Sequence, residues 1–264
     1  MYDLAVLDRE LRNTIFAGRI HFSAVTSSTN LDALAAARKG APHGCVFLAD
    51  EQTAGRGRGG HAWHSAAGEG LYVSVLLRLA LPAARVQFLP LAAGLAAAEA
   101  IRAVSGLAID LRWPNDLLIG PAKVGGILVE TRNSSKELPH AVAMVVGVGI
   151  NAHQRNFPSG LATPATSLDL AAGRRISRQP LLVALLRFLE HEVLALAEDS
   201  AASLILARVE AESTWVRGRR VQVHGPQACT GVTAGLDEHG FLRVETATGL
   251  ITVRTGGIRS PGID

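Results

Sequence analysis

"QTAGRGRGGHAWHS", residues 52–65, sets Arg56 and Arg58 among Gly55, Gly57, Gly59 and Gly60 and brings Trp63 in directly behind them. Each glycine weakens a helix or a strand, so the stretch reads as a loop. Such a loop can do three things. Its N–H groups can form an anion nest, its guanidinium groups can fork onto carboxylate or phosphate oxygens, and it can move to cover a ligand. An RGG-type RNA contact and a plain solvent loop stand as alternatives. A P-loop does not fit, because no GK[ST] follows. "GCVFLADEQ" (44–52) enters the loop as a buried strand and "GLYVSVLLRL" (70–79) follows as a second.

The pattern extends on both sides. "SSTNLDALAAARKG" (27–40) opens with capping residues, runs with helical periodicity and stops at Gly40, and 87–106 reads as a helix ending at Gly106. "LAIDLRW" (107–113), "DLLI" (116–119) and "VGGILVET" (124–131) are strands on short turns, which implies antiparallel hairpins. "HAVAMVVGVGIN" (140–151) is a further strand, and 179–199 reads as one long amphipathic helix. From about residue 216 the chain becomes short strands punctuated by glycine, as in a small β-barrel. The expectation is an α/β (α+β) fold in two domains, 1–215 and 216–264, with a mixed, largely antiparallel sheet and flanking helices.

At 264 residues, 48% hydrophobic and 19% charged, the chain can build a sizeable core. A formal charge of +3 does not mark a nucleic-acid binder. Cys45 and Cys229 lie far apart without a CxxC pair, which excludes a cysteine framework and suits a reducing compartment. The start "MYDLAVLDRE" lacks the basic and apolar regions of a signal peptide. The most apolar stretches, "LPLAAGLAAAEA" and "AVAMVVGVGI", fall short of the roughly 20 residues that span a bilayer. A cytoplasmic protein away from membranes is expected.

Four further stretches carry polar chemistry. "SSTN" (27–30) is either a helix cap or a set of hydroxyl and amide groups for a polar ligand. "RWPNDLLIG" (112–120) gathers Arg112, Trp113, Asn115 and Asp116 around Pro114, as a hairpin turn or as part of a site. "KVGGILVE" (123–130) sets Lys123 before Gly125 and Gly126, either at the surface or aimed inward where glycine lets a ligand approach the backbone. "GVGIN" (147–151) ends an apolar strand on Gly149 and Asn151.

In order and approximate spacing, "SSTN", "QTAGRGRGGHAW", "GLYVSVLLR", "RWPNDLL", "KVGGILVE" and "GVGIN" resemble the biotin protein ligases, the biotin–[acetyl-CoA-carboxylase] ligases, over about residues 22–155. The resemblance implies a class II synthetase-like catalytic domain followed by an SH3-like barrel. It implies that ATP and Mg²⁺ activate biotin as biotinyl-5′-AMP, and that biotin passes to a lysine of a biotin carboxyl carrier protein or domain. By motif match, Lys123, Arg56 and Arg58 supply catalytic positive charge. Ser28, Thr29, Asn30, Gln52, Gly55, Gly57, Tyr72, Ser74 and Gly126 would join them around biotin. Arg58, Trp63, Arg112, Asn115, Asp116 and Asn151 would serve ATP, with Trp63 and Asn151 at the adenine. Asp116 is a candidate for organising Mg²⁺ or the neighbouring basic groups.

Some members carry an N-terminal helix-turn-helix domain; here the biotin motif begins at Ser27, so a ligase without a DNA-binding role is expected. A homodimer is compatible with the sequence. Ile258 and His61 depart from the acidic and basic residues some relatives have. Two rivals remain: a lipoate–protein ligase running the same adenylate chemistry, and a nucleic-acid-binding module. Aromatic content of 5% and the lack of a wider basic stripe speak against the second.

Overall fold

The computed structural model describes residues 2–132 and 142–261. Its elements are α1 (Leu4–Glu10), β1 (Ile20–Thr26), α2 (Thr29–Arg38), β2 (Cys45–Gln52), β3 (Gly70–Leu79), α3 (Ala83–Val86), α4 (Leu89–Ser105), β4 (Asp110–Arg112), β5 (Asp116–Ile119), β6 (Ala122–Arg132) and β7 (Val142–Asn151). They continue with α5 (Leu168–Ala172), α6 (Arg178–Ala195), α7 (Ala201–Glu212), β8 (Arg217–His224), β9 (Cys229–Leu236), β10 (Leu242–Thr246), β11 (Gly249–Val253) and β12 (Gly257–Arg259).

One sheet of seven strands runs β1-β2-β3-β7-β6-β5-β4, and only β1 pairs parallel to its neighbour. The mixed, largely antiparallel character expected from the hairpin turns is therefore present. A second, antiparallel sheet runs β11-β10-β9-β8-β12 over the region expected to form the small barrel.

The two faces of the large sheet have different covers. Val46, Leu48, Val73, Val75, Val146 and Val148 point into the main core with α4 and α6, and alternation sends their neighbours the other way. On that second face Cys45, Leu76, Ala143 and Val145 pack under Ala33, Leu34 and Ala37 of α2. Because α2 is only ten residues long, it covers part of the face. The rest is left to the Gly-Arg loop.

Several boundaries differ from expectation. The strand expected at 107–113 is only Asp110–Arg112, and the helix expected at 179–199 stops at Ala195, with the unanticipated α7 after it. His140 and Ala141, the first two residues of the strand expected from 140, lie outside the described residues. The length argument against a membrane span needs correction. Ala84–Ser105 is 22 residues long and its most apolar window has a mean hydropathy of 1.4, long and apolar enough, yet 67% of that window is buried inside the fold. It is a core helix whose outer neighbours are protein.

The second sheet packs on the first body through specific bonds. Trp113, which precedes Pro114 across a cis peptide, donates its indole N–H to the Gly240 carbonyl in the β9–β10 turn at 3.0 Å. Trp113→Phe keeps a smaller aromatic ring and strands that buried acceptor. It should cost about 1–2 kcal/mol in denaturant unfolding with an unchanged slope.

Candidate active site

Same-face residues of five adjacent strands line up as Ala49, Tyr72, Gly149, Gly126 and Asp116, with Phe47, Ser74, Gly147 and Leu128 in the next row. The two central glycines make a low floor. A Cβ at Gly147 would overlap the amide oxygen of Asn30, and one at Gly149 would lie 2.6 Å from Trp63 Nε1. Glycine is required here by close approach of side chains from above.

The N-terminus of α2 stands at one end of this floor. Ser28 occupies the N-cap position, but its side chain makes no capping bond. Gln52 of β2 does the capping: its Oε1 accepts from the Thr29 N–H at 2.9 Å and from the Thr29 hydroxyl at 3.1 Å. The amide of Gln52 is oriented in turn by donating to Ser65 Oγ at 2.8 Å. Ser74, fully buried, donates to Thr29 Oγ1 and Asn30 Oδ1 at 2.8 and 2.5 Å. Asn30 Nδ2 donates to Glu130 Oε2 at 2.9 Å. The polar groups of "SSTN" thus spend little on their own helix. They are held in fixed orientations by β2, β3 and β6 and face a cavity.

The Gly-Arg loop closes the opposite side as a hairpin. Gln52 N–H bonds Ser65 O at 3.0 Å, Trp63 N–H bonds Gly55 O at 2.8 Å and Gly57 N–H bonds His61 O at 2.7 Å. Its cations point inward to two different anchors. Arg56 lies 3.6 Å from Glu130. Arg58 reaches the second sheet, donating to the Gly256 carbonyl and, at 3.2 Å, to Thr255 Oγ1. Burial draws the Arg58 guanidinium below its ordinary value, with Asp116 opposing the shift. Trp63 settles over Gly149, and its buried Nε1 has no partner among the described residues.

Lys123 enters the same cavity through a bulge. In the β5–β6 pairing Leu117 faces Gly125 but Leu118 faces Lys123, so Val124 is the extra residue. The bulge reverses the alternation: Val124 turns into the core while Lys123 lines the cavity. Lys123 Nζ then sits 5.3 Å from the Trp63 ring centroid and 2.5 Å from Asp116 Oδ1. Its backbone is clamped by Pro164 O and the Thr166 N–H at 2.7 and 2.9 Å. Asp116 Oδ2 accepts from Arg112 Nη2 at 2.6 Å. Burial alone would raise the Asp116 carboxyl, but Lys123 and Arg112 outweigh it and hold it below the usual carboxylate value.

That balance has a pH consequence. A depressed folded-state pKa stabilises the fold above the unfolded value, about 3.9 for aspartate, and the benefit is lost as pH falls through the lower folded value. Asp116→Asn should therefore reduce the loss of stability below about pH 4, read as the slope of melting temperature against pH beside the native protein.

Ser28, Thr29, Asn30, Gln52, Arg56, Gly57, Arg58, Trp63, Tyr72, Asn115, Lys123 and Gly126 all line this one cavity. Five expected residues lie behind it or apart from it. Gly55 sits under Trp63 O and Ser65 Oγ, and Ser74 orients Thr29 and Asn30 from below. Arg112 and Asp116 form the ion pair beside Lys123. Asn151 donates to the Thr166 carbonyl at 3.0 Å and does not line the cavity. Glu130, Ser65, Gly147 and the Thr255–Gly256 turn were not singled out from sequence. The alternating glycines of "GVG" inside a strand were the available signal for Gly147. The others depend on contacts distant in sequence.

Residues 22–151 match the model of the biotin/lipoate A/B protein ligase family. The bifunctional ligase/repressor BirA of Bacillus spizizenii is 32% identical over 251 residues, covering 94% of this chain and 76% of that protein. The biotin–[acetyl-CoA-carboxylase] ligase of Mycobacterium tuberculosis is 32% identical over 263 residues, covering 95% and 94%. Among solved structures, a biotin protein ligase from Aquifex aeolicus in complex with biotin and ATP superposes with a TM-score of 0.76 at 29% identity, covering 92% of this chain and 98% of that one. The chain belongs to the biotin/lipoate A/B protein ligase family.

Proposed function

We propose that this protein is an ATP-dependent biotin protein ligase. It joins the biotin carboxylate to the α-phosphorus of ATP with release of pyrophosphate, then passes the biotinyl group to a lysine amine with release of AMP. The observation that carries the reading is the cavity itself. A cradle of oriented neutral donors and acceptors at Ser28–Asn30 and Gln52 faces the cations Arg56, Arg58 and Lys123 across a glycine floor. A neutral ureido ring suits the first end and a carboxylate meeting a triphosphate suits the second.

The first step brings two anions together, so fixed positive charge lowers its barrier. Lys123, steadied by Asp116, is the cation assigned to the reacting oxygens; Arg56 and Arg58 reinforce it from the loop. Trp63, Arg112, Asn115, Asp116 and Asn151 are assigned to the nucleotide half. The unpartnered Trp63 Nε1 supports this for Trp63, and the engaged amide of Asn151 means Asn151 would have to release Thr166 to reach adenine. Mg²⁺ would arrive with the triphosphate, which ordinarily supplies most of its ligands, and it offsets charge on the phosphate oxygens. Asp116 is the carboxylate we assign to it, already shared by Lys123 and Arg112.

We place the boundary between a catalytic domain and a barrel domain at residues 215 and 216. The acceptor is assigned as a biotin carboxyl carrier protein or domain, and the compartment as the cytoplasm, which suits a consumer of ATP with two unpaired cysteines.

ATP–pyrophosphate exchange with purified protein and Mg²⁺, comparing biotin, lipoate and no added acid, tests the reading. Exchange that requires biotin supports it. Exchange with lipoate alone keeps the chemistry and overturns the substrate, and exchange with neither removes the proposal.

A further inference from the structure

Trp215 joins the two sheets and is almost fully buried. The segment is latched to β4: Thr214 donates to Asp110 through its N–H at 2.9 Å and its hydroxyl at 2.6 Å, and the Trp215 N–H meets Ser213 Oγ at 3.1 Å. Two guanidinium groups lie over the indole ring, that of Arg219 at 3.7 Å from the centroid and that of Arg112 at 5.2 Å. Arg219 is fastened by its own bond to Thr214 Oγ1 at 3.1 Å.

Arg112 meets Asp116 in an unusual way for an arginine. Nε and Nη2 both address one oxygen, Oδ2, at 3.1 and 2.6 Å, and Nη2 also reaches Thr163 Oγ1 at 3.0 Å. A free guanidinium prefers the two-oxygen fork. That fork would take Oδ1, the oxygen that holds Lys123 Nζ. The indole lies within cation–π reach of this guanidinium, 5.2 Å from ring centroid to Cζ, so a rotation toward Oδ1 would have to give up that contact and the Thr163 bond.

We infer that Trp215 is a positioning residue for Lys123, acting through Arg112 and Asp116: by holding Arg112 to one carboxylate oxygen it reserves the other for the lysine. The inference rests on the role given to Lys123 in the ligase reading. It makes the junction with the second sheet part of the apparatus that aims the activating cation.

Trp215→Leu removes the π-face and Trp215→Phe retains one. In biotin-dependent exchange, Trp215→Leu should lower kcat by about tenfold, the size of one lost cation–π restraint, while KM for biotin moves less than about twofold and Trp215→Phe recovers most of the loss. A second readout does not depend on biotin. Acylation of Lys123 by an N-hydroxysuccinimide ester, measured by peptide mass spectrometry against exposed Lys39, should rise severalfold in Trp215→Leu and return toward native in Trp215→Phe. Native kcat in Trp215→Leu, or a loss that Trp215→Phe shares in full, overturns the inference. If the native protein shows no biotin-dependent exchange, the ligase reading falls and the labelling ratio alone decides the geometry: an unchanged ratio overturns it. Should Trp215→Leu fail to fold, Trp215→Met takes its place, keeping a long apolar side chain without an aromatic face. Raised Lys123 labelling with reduced kcat supports the inference, and native values for both overturn it.

Discussion

Lys123→Ala should lower biotin-dependent ATP–pyrophosphate exchange by roughly 10²–10³-fold, the cost of removing one preorganised charge from a developing anion, while shifting the melting temperature by only a few degrees. The two effects separate because of where the charge sits. The Lys123 side chain is 27% exposed and faces the cavity, so its truncation leaves no void in the core. Asp116, its partner, is not abandoned: Arg112 still donates to the carboxylate through Nε and Nη2. The carbonyl and N–H of residue 123 remain bonded to the 164–166 segment in the variant, so the bulge persists. An unfolded Lys123→Ala whose folded fraction kept native activity would show that Lys123 serves the fold and not the chemistry.

Gly147→Ala is expected to raise KM for biotin by at least about tenfold and to destabilise the protein by about 1–3 kcal/mol, the range for overpacking a closed site. The added methyl would occupy the place of the Asn30 amide oxygen, in the middle of a sheet whose Ser74 and Leu128 neighbours fix the backbone. The backbone cannot yield without breaking pairing to both β3 and β6, so Asn30 must. As it moves it loses the Ser74 hydroxyl and the Glu130 carboxylate together, and α2 carries Ser28 and Thr29 with it. Steady-state kinetics with biotin varied at saturating ATP, alongside denaturant unfolding, reads both effects. Unchanged KM in a folded Gly147→Ala would mean that Asn30 does not touch biotin.

Much of this was legible before any coordinates, for definite reasons. Strand β3 follows the expected limits, Gly70–Leu79, and α4 ends where Gly106 adopts a left-handed φ of 78°. Both depend on local signals: an unbroken apolar run, and the glycine stop that backbone sterics demand. The short turns after β4 and β5 likewise dictated antiparallel pairing, because a parallel return needs a crossover. α7 and β1 were missed where local signals are weak. β1 is an edge strand of exposed and partly buried residues with none fully buried, so its pattern lacks a clear alternation.

Residue by residue, the amino-acid sequence by itself determined which chemistry was at hand: a Gly-Arg loop, a hydroxyl-amide helix start, a lysine before paired glycines and an aspartate beside an arginine. Those are properties of side chains and of short-range backbone preference. Tertiary structure alone decided which way they face. Strict alternation along β6 would send Lys123 into the core, and only the extra residue at Val124, made by pairing with β5, turns it toward the cavity. The N-cap expected of "SSTN" went to Gln52, 23 residues from Thr29, which leaves the Ser28 hydroxyl without a capping bond. Arg58 found its acceptor 198 residues further on, in the second sheet. Register, bulges and contacts across the sheet arise from pairing partners distant in sequence, and no local pattern encodes the partner.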